Sequence, residues 1–178
     1  MPQFVRAGLR HNRWLETEGR EPLDFPADVL TDLRTTGDEI SVFEISGAVT
    51  AERIATAFAA APGKKEPAQT TYAVFDRAAV EELGIDIKKT DGDTIDAAVN
   101  LLHYDLHVGT TRKLIELAGV IAGSTPIPIL KKRVEELLKG GFERGHLDHK
   151  RNRVLCDKVK ARIPAIQEDH PLVGQEEP

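Results

Sequence analysis

The sequence predicts an α+β protein, with a small mixed β-sheet and helices in the N-terminal half and a helical C-terminal half. Short β-branched and aromatic runs alternate with stretches of helical spacing over residues 39–87. From residue 93 onward, apolar residues recur mainly at three- and four-residue intervals. Apolar residues make up 40% of the 178 residues and charged residues 30%, the composition of a globular protein. We expect residues 1–163 to form a single compact domain, with a mixed part (1–90), a helical part (91–163) and an acidic flexible tail (164–178).

Strands and helices alternate in the predicted N-terminal half. The predicted helices follow side chains that can cap a helix N-terminus, namely Asp24, Thr50 and Asp76. Gly37 ends the first of these helices, and Gly84 ends the third. The runs of strand-forming residues cover 3–9, 40–45, 72–75 and 85–87.

Four helical patterns follow in the second half. The first begins at Asp93 or Thr94, the second at Thr110, the third at Pro126 and the last near residue 147. The second is apolar on nearly all sides, which predicts a buried central helix. The part of the first pattern at 102–108 also alternates between apolar and polar residues, so helix and strand both remain open there.

Charge is unevenly distributed, although the net charge is only −5. Residues 131–162 hold 11 basic and 5 acidic side chains, whereas residues 163–178 hold four acids and no lysine or arginine. This pattern predicts a basic surface that binds an acidic protein partner, or alternatively a nucleic-acid backbone. The solvated outer faces of helices would explain the same residues without a partner. The predicted binding residues are Lys131, Lys132, Arg133, Arg144, Lys150, Arg151 and Arg153.

Two histidines and an aspartate at 103–107 form the clearest candidate metal site. His103, Asp105 and His107 share one face of a strand, and the two histidines also share one face of a helix. We expect either structure to place the histidines side by side, where they could hold zinc or another divalent ion. A second cluster, His146 and His149, could supply further ligands. A metal-dependent hydrolase is therefore an alternative function.

Several classes of protein are excluded or disfavoured. The single cysteine, Cys156, rules out an internal disulfide. The longest stretch without a charge has 14 residues and two prolines, fewer than the roughly 20 that span a membrane. Arg6, Arg10 and Arg13 precede the first acid, as in an organellar leader, but this stretch lacks serine. We expect a cytoplasmic protein.

No complete catalytic set is recognisable in the sequence. It has no Gly-x-Ser-x-Gly elbow, no dinucleotide fingerprint and no phosphate-binding loop. We therefore predict a non-enzymatic interaction or regulatory protein that uses its basic C-terminal half. The acidic front and the basic back also predict self-association through complementary charge.

Overall fold

The computed structural model describes residues 1–33 and 37–162. The strands are β1 (Gln3–Ala7), β2 (Glu39–Glu44), β3 (Thr70–Asp76), β4 (Asp86–Lys89), β5 (His103–His107) and β6 (Ile127–Ile129). The α-helices are α1 (His11–Leu15), α2 (Ala27–Leu33), α3 (Ala51–Ala59), α4 (Arg77–Glu82), α5 (Ala97–Asn100), α6 (Thr111–Gly123), α7 (Lys131–Glu143) and α8 (Arg153–Arg162). A short 3-10 helix covers Pro22–Asp24.

The six strands form one sheet in the order β4-β5-β2-β1-β3-β6. Every pair of neighbours is antiparallel. The predicted α+β class is therefore confirmed. The sheet is antiparallel rather than mixed, because every strand runs opposite in direction to the strands beside it. β4 and β6 are the terminal strands, and β1 and β2 lie at the centre.

Helices pack on both faces of the sheet, because successive strand residues point to opposite sides. On one face, Val5 and Phe43 are buried against α3, α7 and α8. On the other, Phe4 and Val42 are buried against α1, α2 and α6. The apolar core therefore has two parts, one on each side of the sheet.

The second half of the chain also supplies strands, so the prediction of a helical C-terminal half was too coarse. Only Ala97–Asn100 is α-helical within the first predicted helical pattern, and 103–107 forms β5. Residues 127–129 form β6, so the third pattern becomes α-helical only at Lys131. The last α-helix begins at Arg153 rather than near residue 147.

Hydrogen bonds from strand to strand explain these differences. Leu102 and Leu106 fit helical spacing, but β5 pairs with β2 on one side and β4 on the other. The spacing of apolar residues along the sequence does not show which distant strands will pair. Within residues 1–33 and 37–162, no helix is long and apolar enough to cross a membrane. The predicted tail, 164–178, lies outside the described residues.

Candidate anion-binding cleft

A cleft of about 800 Å³ opens where β1 ends and β3 begins. The first turn of α1 forms one wall, and the end of α3 with the loop that follows it forms another. Apolar side chains, including Phe58 and several alanines, line part of the surface. The cleft also brings together four basic side chains that are far apart in sequence: Arg6, Arg10, Arg13 and Lys64.

Arg6 lies where the central strands separate. β1 forms five residue pairs with β3 but only two with β2, at Phe4 and Val5. Beyond them, Arg6 Nη1 donates a hydrogen bond of 2.9 Å to the backbone carbonyl of Ser41 in β2. The guanidinium therefore hydrogen-bonds to a β2 carbonyl that lies beyond the last residue pair between β1 and β2. Its Nε is shielded from solvent and has no hydrogen-bond partner in the described structure.

The charge of Arg6 persists despite its surroundings. Burial lowers the pKa of Arg6, and the Asp32 carboxylate opposes that shift. A guanidinium is not deprotonated in proteins, so Arg6 is a cation at neutral pH. A cation with an unused N–H, beside an open cleft, attracts an anionic oxygen.

Asp32 of α2 holds the arginine-rich segment in place. Its side chain is 6% exposed, and it accepts hydrogen bonds from the Arg10 backbone N–H at 2.7 Å and from Trp14 Nε1 at 2.9 Å. It also forms longer ion pairs with Arg10 (3.7 Å) and Arg13 (3.9 Å). Arg13 pairs in addition with Asp28. These contacts fix α1 against α2, and both arginines line the cleft.

The opposite wall depends on Asn152, which precedes α8. Its Nδ2 lies within 3.0–3.1 Å of the carbonyl oxygens of Ala60, Ala61 and Lys64. These bonds fix the loop after α3. Lys64 projects from that loop without an acidic partner in the described part of the chain, whereas Glu66 pairs with Lys158 of α8.

A second unpartnered nitrogen belongs to a residue that lines the same cleft. His11 Nδ1 is shielded from solvent and forms no hydrogen bond among the described residues. His11 begins α1 and lines the cleft. Together with Arg6 Nε, it gives two shielded nitrogens without a hydrogen-bond partner on residues that line the cleft. Buried polar groups without a partner are uncommon in folded proteins.

The sequence contained one signal for this cleft, the run of three arginines before the first acid. That run is also a feature of organellar leaders, and by itself it predicts no binding site. Lys64 and the shielding of Arg6 depend on contacts between distant segments. No motif spacing reveals such contacts.

The structure places the predicted metal ligands on β5. His103, Asp105 and His107 lie on the same face, as expected for a strand. However, four residues of strand separate the two histidines by about 13 Å, so they do not lie side by side. The expectation that either secondary structure would pair them was therefore wrong. In residues 1–33 and 37–162, no group of three or more His, Cys, Asp or Glu side chains could hold a metal ion.

His103 and Asp105 instead join a hydrogen-bond network with Thr90 and Ser41. Thr90 Oγ1 lies 2.7 Å from His103 Nδ1 and 2.8 Å from Asp105 Oδ2. Ser41 Oγ donates to Asp105 Oδ1 at 3.3 Å. Burial lowers the pKa of His103, and the Asp105 carboxylate opposes this shift.

The second histidine cluster has a different environment. His149 is exposed, and half-buried His146 lines a small cavity of about 210 Å³ beside Arg53 and Asp96. Arg53 and Asp96 form an ion pair at 2.7 Å. Two of the charged side chains that line this cavity are therefore already paired with each other.

Three of the seven basic residues predicted to bind a partner form ion pairs with acids of this chain. Arg133 pairs with Glu52 at 3.1 Å, and Arg151 pairs with Asp93 at 2.6 Å. The exposed Arg153 lies 3.7 Å from an acid one turn further along α8. The other four form no ion pair within the described ranges: Lys131, Lys132, Arg144 and Lys150.

These four basic residues do not form one compact patch. Lys131 and Lys132 begin α7, whereas Arg144 follows its last residue, about 20 Å away along the axis. Arg144 borders the small cavity beside Asp96. The acidic protein partner and the nucleic-acid backbone expected for this block both stay predictions.

No family model, curated protein or solved structure matches this chain. Geometry and charge alone therefore define the candidate site. Of the sites described above, the cleft at Arg6 combines the largest volume with the greatest number of convergent cations.

Proposed function

We propose that the protein binds a small anionic ligand in the cleft at the ends of β1 and β3. The observation that carries this proposal is the guanidinium of Arg6. Its Nη1 is bound to a β2 carbonyl, while its shielded Nε has no partner in the described structure. Leaving a buried donor unpaired costs about 1–3 kcal/mol, so an anionic oxygen at this position would relieve an existing cost.

The size and charge of the cleft support the same function. Sites for small ligands commonly have volumes of about 300–1,000 Å³ and combine apolar walls with a few polar groups. The cleft falls in this range and has an apolar wall at Phe58. Arg10, Arg13 and Lys64 add positive charge around Arg6. The proposal is for ligand binding and includes no catalytic step.

Isothermal titration calorimetry with inorganic phosphate and sulfate tests this proposal. We expect saturable binding by the wild type and at least a tenfold loss of affinity in Arg6→Gln, which removes the charge and the guanidinium N–H groups. Lys88→Gln is the matched control, because Lys88 is an exposed cation on β4, at the far edge of the sheet. This control should bind both anions as the wild type does.

A second variant keeps the test valid if Arg6→Gln does not fold. Lys64→Gln changes an exposed loop side chain and should weaken phosphate binding severalfold without altering the circular dichroism spectrum. Absence of phosphate and sulfate binding in the wild type would overturn the proposal. Equal affinities in the wild type, Arg6→Gln and Lys64→Gln would also overturn it.

A further inference from the structure

The cleft has a neutral polar part in addition to its cationic part. Asn12 of α1 and Gln69, just before β3, both line it and are exposed. Neither amide side chain forms a hydrogen bond to another group in the described structure. The hydroxyl-bearing residues Thr70 and Thr71 also line the cleft. Amides and hydroxyls both donate and accept hydrogen bonds, as do the hydroxyl groups of a sugar.

The charge around the cleft matches a dianion better than a monoanion. Three arginines and one lysine line it, and a second lysine, Lys158, pairs with the lining residue Glu66. Three carboxylates oppose them, those of Asp28, Asp32 and Glu66. The surplus is two positive charges. A phosphate monoester carries between about 1.5 and 2 negative charges at pH 7.

The cleft is much larger than the anion alone. A bare phosphate ion would leave most of the roughly 800 Å³ to water, including the part beside Asn12 and Gln69. The phosphate of a larger molecule could approach Arg6 while the rest of that molecule reached the amides.

The aromatic lining gives little support for recognition of a nucleobase. Phe58 is half-buried, and its ring is edge-on to Phe43 with centroids 5.3 Å apart. Gly8 packs beside the same ring, so that a Cβ at Gly8 would lie 3.6 Å from it. Neighbours on two sides thus restrict the surface that Phe58 could offer to a stacked base.

From these features we propose that the ligand is a phosphate monoester of a small polyhydroxylated compound, a sugar phosphate in chemical class. This inference rests on the proposed anion-binding function. The phosphate lies at Arg6, and Asn12 and Gln69 bind hydroxyl groups of the carbon chain. The two contacts together should give a sugar phosphate higher affinity than either phosphate or sugar alone.

Calorimetric titration with ribose 5-phosphate, inorganic phosphate, ribose and adenosine monophosphate tests the ligand class. We expect ribose 5-phosphate to bind at least tenfold more tightly than phosphate, and ribose to show no measurable binding. Adenosine monophosphate should bind no more tightly than ribose 5-phosphate, because the base gains no stacking surface.

The double variant Asn12→Ala/Gln69→Ala separates the neutral contacts from the charged ones. We expect it to lose affinity for ribose 5-phosphate severalfold, a larger factor than its loss of affinity for inorganic phosphate. Gln3→Ala is the matched control, because Gln3 is an exposed amide at the opposite end of β1, where it bonds to Asp76. This control should leave both affinities unchanged.

The possible outcomes distinguish failure of the sugar-phosphate proposal from failure of the proposed anion binding. Equal affinities for phosphate and ribose 5-phosphate, or no effect of the double variant, would overturn the sugar phosphate. Arg6-dependent phosphate binding in the same experiment would leave the proposed anion binding standing. Adenosine monophosphate binding more than tenfold tighter than ribose 5-phosphate would overturn the sugar phosphate in favour of a nucleotide. Failure of every anion to bind would overturn both proposals.

Discussion

At the level of single residues, the network around His103 determines which ring nitrogen carries the proton. The Asp105 carboxylate only accepts hydrogen bonds, so the Thr90 hydroxyl donates to it. Thr90 has no second proton for the imidazole, and His103 Nδ1 must therefore donate to Thr90. Neutral His103 is consequently protonated at Nδ1, and its Nε2 faces Asp105 Oδ1 at 3.6 Å.

The lowered pKa of His103 predicts a pH-dependent stability. The unfolded chain binds a proton near the ordinary value of 6.5, whereas folded His103 does so only at lower pH because of burial. The unfolded state therefore holds more protons between these two values, so the free energy of unfolding decreases as the pH falls through this window. Urea unfolding at about pH 7.5 and about pH 5.5 should show a smaller decrease in His103→Gln than in the wild type.

The pH affects more of the chain than His103. The test is therefore the difference in pH-dependent stability between the wild type and His103→Gln. His149→Gln is the matched control for losing a histidine at an exposed position. The same decrease in stability in the wild type and His103→Gln would show that His103 does not contribute to the pH dependence.

The residues of the candidate site illustrate what a sequence can reveal at this level. Arg6 is visible as an early arginine, but its importance comes from the Ser41 carbonyl, 35 positions away. Asn12 and Gln69 are polar residues without a local pattern. The fold brings these groups together. Short-range spacing in the sequence does not show which groups will meet.

At the level of elements, α7 covers one face of the sheet with a stripe of apolar residues. Leu138 on this stripe is fully buried, whereas Leu130 at the helix N-terminus is 65% exposed. Leu138→Ala should lower the free energy of unfolding by about 2–5 kcal/mol, because it leaves a cavity between α7 and the core. Leu130→Ala should change it by less than about 0.5 kcal/mol. Urea denaturation measures both, and equal losses would contradict this packing.

The elements also show where prediction from sequence succeeds. The caps at Thr50 and Thr110 are confirmed, since each side chain accepts a hydrogen bond from the backbone three residues later. Asp76 precedes α4 but its side chain forms no cap hydrogen bond, and Asp24 lies in the 3-10 helix rather than next to α2, so those two predictions were wrong. Capping acts within one turn, so it can be recognised locally. β5 and β6 depend on pairing with distant strands, and the prediction was ambiguous for β5 and wrong for β6.

At the level of the whole molecule, the acidic front and the basic C-terminal block meet within one chain. Glu52 pairs with Arg133, Glu66 pairs with Lys158, and Asp93 pairs with Arg151. Each pair links the first 130 residues to the basic block. The complementary charge that suggested self-association is thus partly used in contacts inside the chain.

These long-range ion pairs predict a salt-dependent stability. Raising the ionic strength from about 0.01 M to about 0.1 M shortens the screening length from about 30 Å to about 10 Å. We expect the free energy of unfolding of the wild type to fall over this range. The variant Glu52→Gln/Glu66→Gln/Asp93→Asn should show a smaller fall, because it lacks these three attractive pairs. Identical salt dependence by urea denaturation would contradict this role.

The two terminal strands have a consequence for how copies of this molecule behave together. Within the described part of the chain, β4 presents Asp86, Lys88 and Lys89, and β6 has only three residues with Pro128 at its centre. Charged side chains and proline both oppose the addition of a further strand. The margins of the sheet therefore disfavour edge-to-edge growth into fibrils, even at high concentrations of the folded protein.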